Sequence, residues 1–225
     1  MRKVQSPQAF GKVAVAMGGL AAEREISLLS GRAVLTALKA QGVDAVALDI
    51  KNISLIELKE MAVDRVFNVM HGRGGEDGQL QGALELLAIP YTGSGILGSA
   101  LGMDKLRTKA CWMGLGMPTP KWMVLKNAKD IELCATALGF PLMVKPALEG
   151  SSIGMAKANN PEQLHEAYTK ASKFNCDVMA EQWVEGEEYT VAILAGQPLP
   201  VIRLETPNDF YDYDAKYISN ETILA

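Results

Sequence analysis

Apolar and polar positions along the 225-residue chain alternate in blocks of two kinds. Short continuous apolar runs lie at 13–17, 43–50 and 66–70. Stretches with helical spacing separate or follow them at 24–41, with Leu28, Gly31, Leu35 and Leu38 on one face, and at 79–88, with Leu80, Ala83, Leu84 and Leu87 inward. Short apolar runs bounded by glycine predict buried strands, and the 3.6-residue spacing predicts amphipathic helices. Strands alternating with helices build a parallel, layered α/β sheet whose ligands sit at the carboxyl ends of the strands.

Gly93-Ser94-Gly95 and Gly98 mark a break before a second unit. It opens with helices predicted at 104–113 and 128–138 around a strand at 122–125. Strands at 142–145 and 153–157 follow, then a helix at 161–174 announced by Asn160 before Pro161. Runs at 178–184, 189–194 and 200–205 alternate as strands with turns at Glu185-Gly186 and Gly196-Gln197. This unit reads as a mixed, largely antiparallel sheet with helices on one face. The polar, aromatic-rich stretch 206–217 is predicted as a long loop, and such loops act as lids or stay disordered. Only eight residues follow it, and none completes a further element, so the fold is expected to be cut short at its C-terminus.

Composition narrows the function. The chain is 48% hydrophobic and 21% charged with a net charge of −4, which is ordinary for a globular protein and argues against a nucleic-acid surface. Cys111, Cys134 and Cys176 form no C-x-x-C pair and read as core residues of a reducing compartment. With only His71 and His165 beside them, a zinc site is not expected. The apolar segment at 13–22 is interrupted by Gly18-Gly19 and followed by Glu23-Arg24-Glu25, unlike a signal peptide. No run reaches the ~18 apolar residues that span a membrane. Together these readings place the protein in the cytoplasm.

Chemistry concentrates in 143–154, Met-Val-Lys-Pro-Ala-Leu-Glu-Gly-Ser-Ser-Ile-Gly. A lysine at the end of a strand, followed by a loop with two glycines and two serines, offers a fixed cation and backbone N–H groups to an anion, which suits the phosphates of a nucleotide. The plainer alternative is a hairpin with a snorkelling lysine. A Rossmann site would need G-x-G-x-x-G after the first strand, and Gly18-Gly19-Leu20-Ala21-Ala22-Glu23 lacks that spacing. No G-x-x-x-x-G-K-[ST] occurs either.

Five segments in order resemble a known family. They are Gly18-Gly19 with Ala22-Glu23-Arg24-Glu25-Ile26-Ser27-Leu28, and His71-Gly72-Arg73-Gly74-Gly75-Glu76-Asp77-Gly78. Next come Tyr91-Thr92-Gly93-Ser94-Gly95 with Met103-Asp104-Lys105, and Val144-Lys145-Pro146 with Glu149-Gly150-Ser151-Ser152-Ile153-Gly154. The last is Phe210-Tyr211-Asp212-Tyr213-Asp214-Ala215-Lys216-Tyr217. Across 12–222 the chain resembles the D-alanine–D-alanine ligases of the ATP-grasp superfamily.

The resemblance implies an N-terminal parallel α/β (pre-ATP-grasp) domain at 1–104 and a central ATP-grasp subdomain at 105–190. The start of a C-terminal ATP-grasp subdomain with its lid loop, incomplete, would occupy 191–225. It implies that ATP phosphorylates the carboxylate of one D-alanine and that the amine of a second displaces the phosphate, giving the dipeptide for peptidoglycan, cell wall and cell shape. By the same resemblance Glu23 pairs with the first D-alanine's ammonium, and His71 attends the carboxylate or acyl phosphate. Ser151 and Tyr217 form a hydrogen-bonded set with Glu23 that orients the second D-alanine. A tyrosine at 217 favours dipeptide over depsipeptide formation. Lys105, Lys145 and Lys216 would contact phosphates, with Ser152 beside them. Glu181, Trp183 and Val184 resemble the adenine hinge, Glu188 the ribose carboxylate, and Phe210 a cover over the base.

Taken by themselves these residues have plainer readings: a helix-start acid for Glu23, a turn serine for Ser151, a half-buried tyrosine for Tyr217, solvated charges for the lysines and glutamates. The family's magnesium ligands and oxyanion groups have no counterpart in the sequence, so Mg2+ would be held beyond residue 225 and the 225 residues alone are expected not to turn over. A homodimer is implied. The alternatives are another ATP-grasp carboxylate–amine ligase and a non-catalytic nucleotide-binding module.

Overall fold

The computed structural model describes residues 6–219 and 221–225. The chain divides into two compact units, one ending at Thr108 and the other Lys109–Ala225.

The first unit is built on β1 (Val13–Met17), all five residues of which are buried. After the Gly18-Gly19 turn, α1 (Arg24–Ala40) runs back to β2 (Ala45–Asp49). The short α2 (Leu55–Glu60) is closed by a capping box in which Ser54 and Glu57 each satisfy the other's backbone N–H. Then come β3 (Arg65–Asn68), α3 (Gln79–Leu86) and α4 (Ile96–Met103). The three strands are parallel in the order β2-β1-β3. Because alternate residues of a strand face opposite ways, Ala14 and Ala16 pack with Leu48, Val66, Leu80 and Leu84, while Val13 and Ala45 meet Leu35, Leu38 and Phe67 on the other face. This is the parallel, layered α/β arrangement that the alternation predicts.

Helix α4 was not expected, since Gly98 reads as part of a break. A helical glycine costs only about 1 kcal/mol relative to alanine, too little to forbid a helix. Asp104, extended at φ −90° and ψ 98°, separates α4 from α5 (Lys105–Gly114), and its Oδ1 accepts from Arg107 N at 3.0 Å.

In the second unit β4 (Trp122–Leu125), α6 (Ala128–Leu138), β5 (Leu142–Pro146), β6 (Ala156–Ala158), α7 (Pro161–Ala171) and β7 (Val178–Gln182) follow in order. Asn127 and Asn160 cap the two helices with their side-chain oxygens. The sheet order is β4-β7-β5-β6, with every neighbour antiparallel. Leu142 and Val144 of β5, with Val178 and Ala180 of β7, bury against Ile131, Cys134, Leu164 and Ala167 of the helices. The alternate residues Met143, Lys145, Met179 and Glu181 therefore belong to the other face.

The rest of this unit departs from the expected strands. The run at 189–194 splits into β8 (Glu188–Thr190) and β9 (Ile193–Leu194). β9 pairs with β10 (Gln197–Pro198), while β8 pairs with β11 (Ile202–Glu205), whose other neighbour is β12 (Ile223–Leu224). The expected loop at 206–217 contains a helix, α8 (Tyr213–Tyr217), because Asp212 Oδ1 caps it by accepting from Ala215 N at 2.9 Å. Of the three cysteines expected in the core only Cys134 is buried, and burial pushes its thiol up to about 11. Cys111 is exposed. Among the described residues no helix is long and apolar enough to cross a membrane.

The carboxyl ends of β1 and β2 are tied together by one ion pair. Arg24 Nη2 reaches Asp49 Oδ2 at 2.6 Å and Nη1 reaches Oδ1 at 2.9 Å, while Gly19 N donates to the same Oδ1 at 3.3 Å. The Arg24 hydrogen bonds foremost bring the Asp49 carboxyl down from 3.8 to about 2. A depressed acid stabilises the fold above its unfolded value, and that contribution is lost as pH falls towards the folded one. With both side chains about a quarter exposed, solvent screening reduces the contribution to about 1 kcal/mol. Asp49→Asn is therefore expected to lower the urea-unfolding free energy by about 1 kcal/mol at neutral pH, with the gap to wild type narrowing below about pH 4. A gap that does not change with pH would assign the loss to something other than the carboxylate.

Candidate functional site

In the second unit, β5 leaves its strand at Pro146 and returns as β6 through the glycine–serine loop. Ser151 and Ser152 sit at φ 52° and 59° in succession, a region that non-glycine residues adopt at a cost. Gly154 follows at φ 71°, and a Cβ there would fall 2.4 Å from Phe174 Cε2, so no larger residue fits. The two serines are held by residues of the 206–217 segment. Ser151 Oγ and Tyr217 OH share a hydrogen bond of 2.9 Å. Lys216 Nζ donates to Ser152 Oγ at 2.8 Å, and Ser152 Oγ donates to the Tyr211 carbonyl at 2.9 Å.

Below the loop, the far face of the sheet carries a charge cluster. In the antiparallel register Lys145 lies opposite Met179, so Glu181 is its diagonal neighbour, within reach of a long side chain. Lys145 Nζ bonds Glu181 Oε1, and Lys109 Nζ bonds Glu181 Oε2 at 2.6 Å. Burial pushes the Glu181 carboxyl up, but the charges and hydrogen bonds of Lys145 and Lys109 outweigh it and hold the group below its ordinary value. Lys216 shifts downward, chiefly through desolvation, against the pull of Glu188 and Asp212; the nearby charge of Lys145 adds to the fall.

These groups border a cleft of about 610 Å³, within the usual range of small-molecule pockets. Of the residues expected to hold ATP, Lys145, Ser152, Glu181, Trp183, Val184, Glu188 and Phe210 all line it. Lys216 adjoins it through Ser152. Trp183 stands with Lys157 Nζ 4.3 Å from its ring centroid. Lys105 opens α5, one turn before Lys109, and is counted with the first unit. Lys109 is the residue that sequence reasoning missed. Its spacing in α5 puts it one turn after Lys105, but nothing in a single sequence says which lysine of a helix is buried.

Glu23 and His71 belong to the first unit. Glu23 is the N-cap of α1, only 1% exposed, and neither carboxylate oxygen has a hydrogen-bond partner among the described residues. A buried carboxylate in that state is costly unless something pairs with it. Gly72, at φ 67°, is needed here, because a Cβ would meet Glu23 Oε2 at 2.5 Å. The neighbouring Glu76 carboxyl accepts from Gly72 N at 2.6 Å. Desolvation leads a rise in that group, with His71 drawing it down and Glu23 pushing it up, which places all three within electrostatic reach. No three His, Cys, Asp or Glu side chains converge on a possible metal position among the described residues.

Residues 111–225 match the family described as D-ala D-ala ligase C-terminus, and residues 54–94 match D-ala D-ala ligase N-terminus. A D-alanine–D-alanine ligase of Methylococcus capsulatus is 58% identical over 221 residues, covering 98% of this chain and 72% of its own. The chain belongs to the D-alanine–D-alanine ligase family. A Pseudomonas putida D-alanine–D-alanine ligase is likewise 58% identical over 96% of this chain and 68% of its own. Among solved structures, a Bacillus anthracis D-alanine–D-alanine ligase superposes with a TM-score of 0.80 at 33% identity, covering 95% of this chain and 71% of that one. A Bacillus anthracis ligase complexed with ATP gives 0.76 at 29% identity, covering 95% and 69%. These likenesses give the mixed α/β architecture its name, an ATP-grasp-type ligase fold.

The two serine contacts yield a test of the loop–lid connection. Ser152→Ala removes one hydrogen bond to Lys216 and one to the Tyr211 carbonyl, each contributing about 1 kcal/mol net. Without nucleotide, proteolytic cleavage within 206–217 is expected to accelerate several-fold while the melting temperature moves by no more than a few degrees. Unchanged cleavage would mean that the segment is held by other contacts.

Proposed function

We propose that this chain joins two D-alanines into D-alanyl-D-alanine with ATP, for peptidoglycan precursor synthesis. The observation that carries the reading is the cleft itself. Its sheet face presents Lys145 and Glu181, the loop after β5 adds Ser152, and the 206–217 segment brings Lys216 to that serine. Cations held on a strand and on a lid suit the charge that develops as a phosphoryl group is transferred.

In this reading the carboxylate oxygen of the first D-alanine attacks the γ-phosphorus. The bond to the β-bridging oxygen breaks, and D-alanyl phosphate and ADP form. The amine of the second D-alanine then attacks the acyl carbon, loses a proton and expels inorganic phosphate. Lys145 and Lys216 attend the phosphates, with Lys105 assigned to the same task. Trp183 and Val184 follow Glu181 along the adenine edge, Glu188 takes the ribose hydroxyls, and Phe210 covers the base. Glu23 supplies the counter-charge for the first D-alanine's ammonium, which answers its buried and unpartnered state. His71 attends the carboxylate being activated. The Ser151–Tyr217 pair orients the second D-alanine. A closed lid keeps water from the acyl phosphate.

Mg2+ accompanies the nucleotide in this proposal, neutralising phosphate charge, but no side chain described here is assigned to it. We also propose a cytoplasmic homodimer, in keeping with the location of peptidoglycan precursor synthesis and the habit of the family.

The test has two arms, because ATP binding and turnover make different demands. Calorimetry is expected to show ATP binding, weakened at least tenfold by Lys145→Met through loss of one phosphate-facing charge. ADP release is expected to depend on D-alanine, with the dipeptide identified by mass. ATP binding with ADP release driven by a different amino or hydroxy acid would move the substrate assignment. No ATP binding by wild type would overturn the reading.

A further inference from the structure

Lys109 is 4% exposed, and a lysine so buried needs partners for its charge. It has two: Glu181 Oε2 and Thr119 Oγ1, each 2.6 Å from Nζ. All three residues lie in the second unit. Glu181 is thus shared, with one oxygen given to Lys109 and the other to Lys145. The charge count matters. Lys145 and Glu181 alone would be a neutral pair, and a phosphate would have to compete with the carboxylate for that lysine. With Lys109 included, two cations face one carboxylate, and the cluster keeps one net positive charge.

The geometry acts in the same direction. A carboxylate with one oxygen pinned cannot turn both oxygens on Lys145. Thr119 fixes Lys109 in turn, so the arrangement is set before any ligand arrives. Lys145 lies close enough to Lys216 for its charge to add to the downward shift there, which desolvation leads.

We propose that Lys109 is a positioning residue of the nucleotide site: by neutralising and anchoring Glu181 from behind, it leaves Lys145 charged and aimed at the phosphates. The inference rests on the ATP reading of the cleft. Lys109 does not touch the nucleotide; it acts through Glu181.

A purely structural Lys109 and a positioning Lys109 differ in how the loss depends on phosphate. Binding of ATP, ADP, AMP and adenosine is measured for wild type, Lys109→Met and Lys109→Arg, with circular dichroism confirming the fold. Lys109→Met is expected to weaken ATP by about tenfold relative to adenosine, with ADP and AMP between, since one unit charge has been removed near the phosphates. Lys109→Arg keeps the charge and is expected to recover most of that preference. Equal losses for ATP and adenosine, or no rescue by arginine, overturn the inference and leave the ATP reading intact. Absence of ATP binding by wild type overturns both. If Lys109→Met does not fold, Thr119→Val decides instead: it frees Lys109 from its anchor and is expected to lower the ATP-to-adenosine preference about threefold, and an unchanged preference overturns the inference.

Discussion

The carboxylate of Glu181 is the point on which the second unit's chemistry depends. It stands on the face of the β4-β7-β5-β6 sheet opposite the helices, and it is contacted by lysines from two separate places, α5 and β5. Buried ion pairs are seldom a gain in stability, because desolvation takes back most of the attraction. A three-member cluster with unequal charge is therefore poorly explained as a stabilising device. It is better explained as a way to hold an excess cation on a rigid strand where an anion will arrive. Regular β alternation does the placing, since Leu142 and Val144 of the same strand face the helices in the core and leave Lys145 on the other face.

Much of this was legible in the sequence, for stated reasons. The apolar run ending in Lys145 and the two glycines around Ser151-Ser152 gave the strand–turn–strand unit. Asn160 before Pro161 marked the start of α7. The order of motifs gave the family. What escaped was what depends on tertiary context. Helix α4 was hidden because its glycines read as a break, although one glycine costs a helix only about 1 kcal/mol. Helix α8 was hidden because five residues carry too little periodicity, although the Asp212 cap was there to be read. Lys109 was hidden because a buried lysine in an amphipathic helix looks like an exposed one until its partner strand is known.

The two units show the same economy with their unsatisfied groups. The first unit keeps a buried carboxylate, Glu23, with no partner of its own, beside a glycine loop packed too closely to admit a side chain at 72. Such a group is costly unless it is paired or neutral, and under the proposed function a substrate ammonium meets it.

In the second unit the unsatisfied quantity is backbone strain. Two successive left-handed serines cost on the order of 1–3 kcal/mol each. Their compensation comes from the segment that bears α8: Tyr217 on Ser151, then Lys216 and the Tyr211 carbonyl on Ser152. The loop keeps its left-handed serines with the segment bonded to it, so these contacts offset the strain and do not remove it. The segment is tied elsewhere as well: Thr222 Oγ1 donates to the Ala215 carbonyl at 2.8 Å, and Ala215 is buried. Under the proposed function its lysine and tyrosine reach the two serines together because they sit next to each other in one helix.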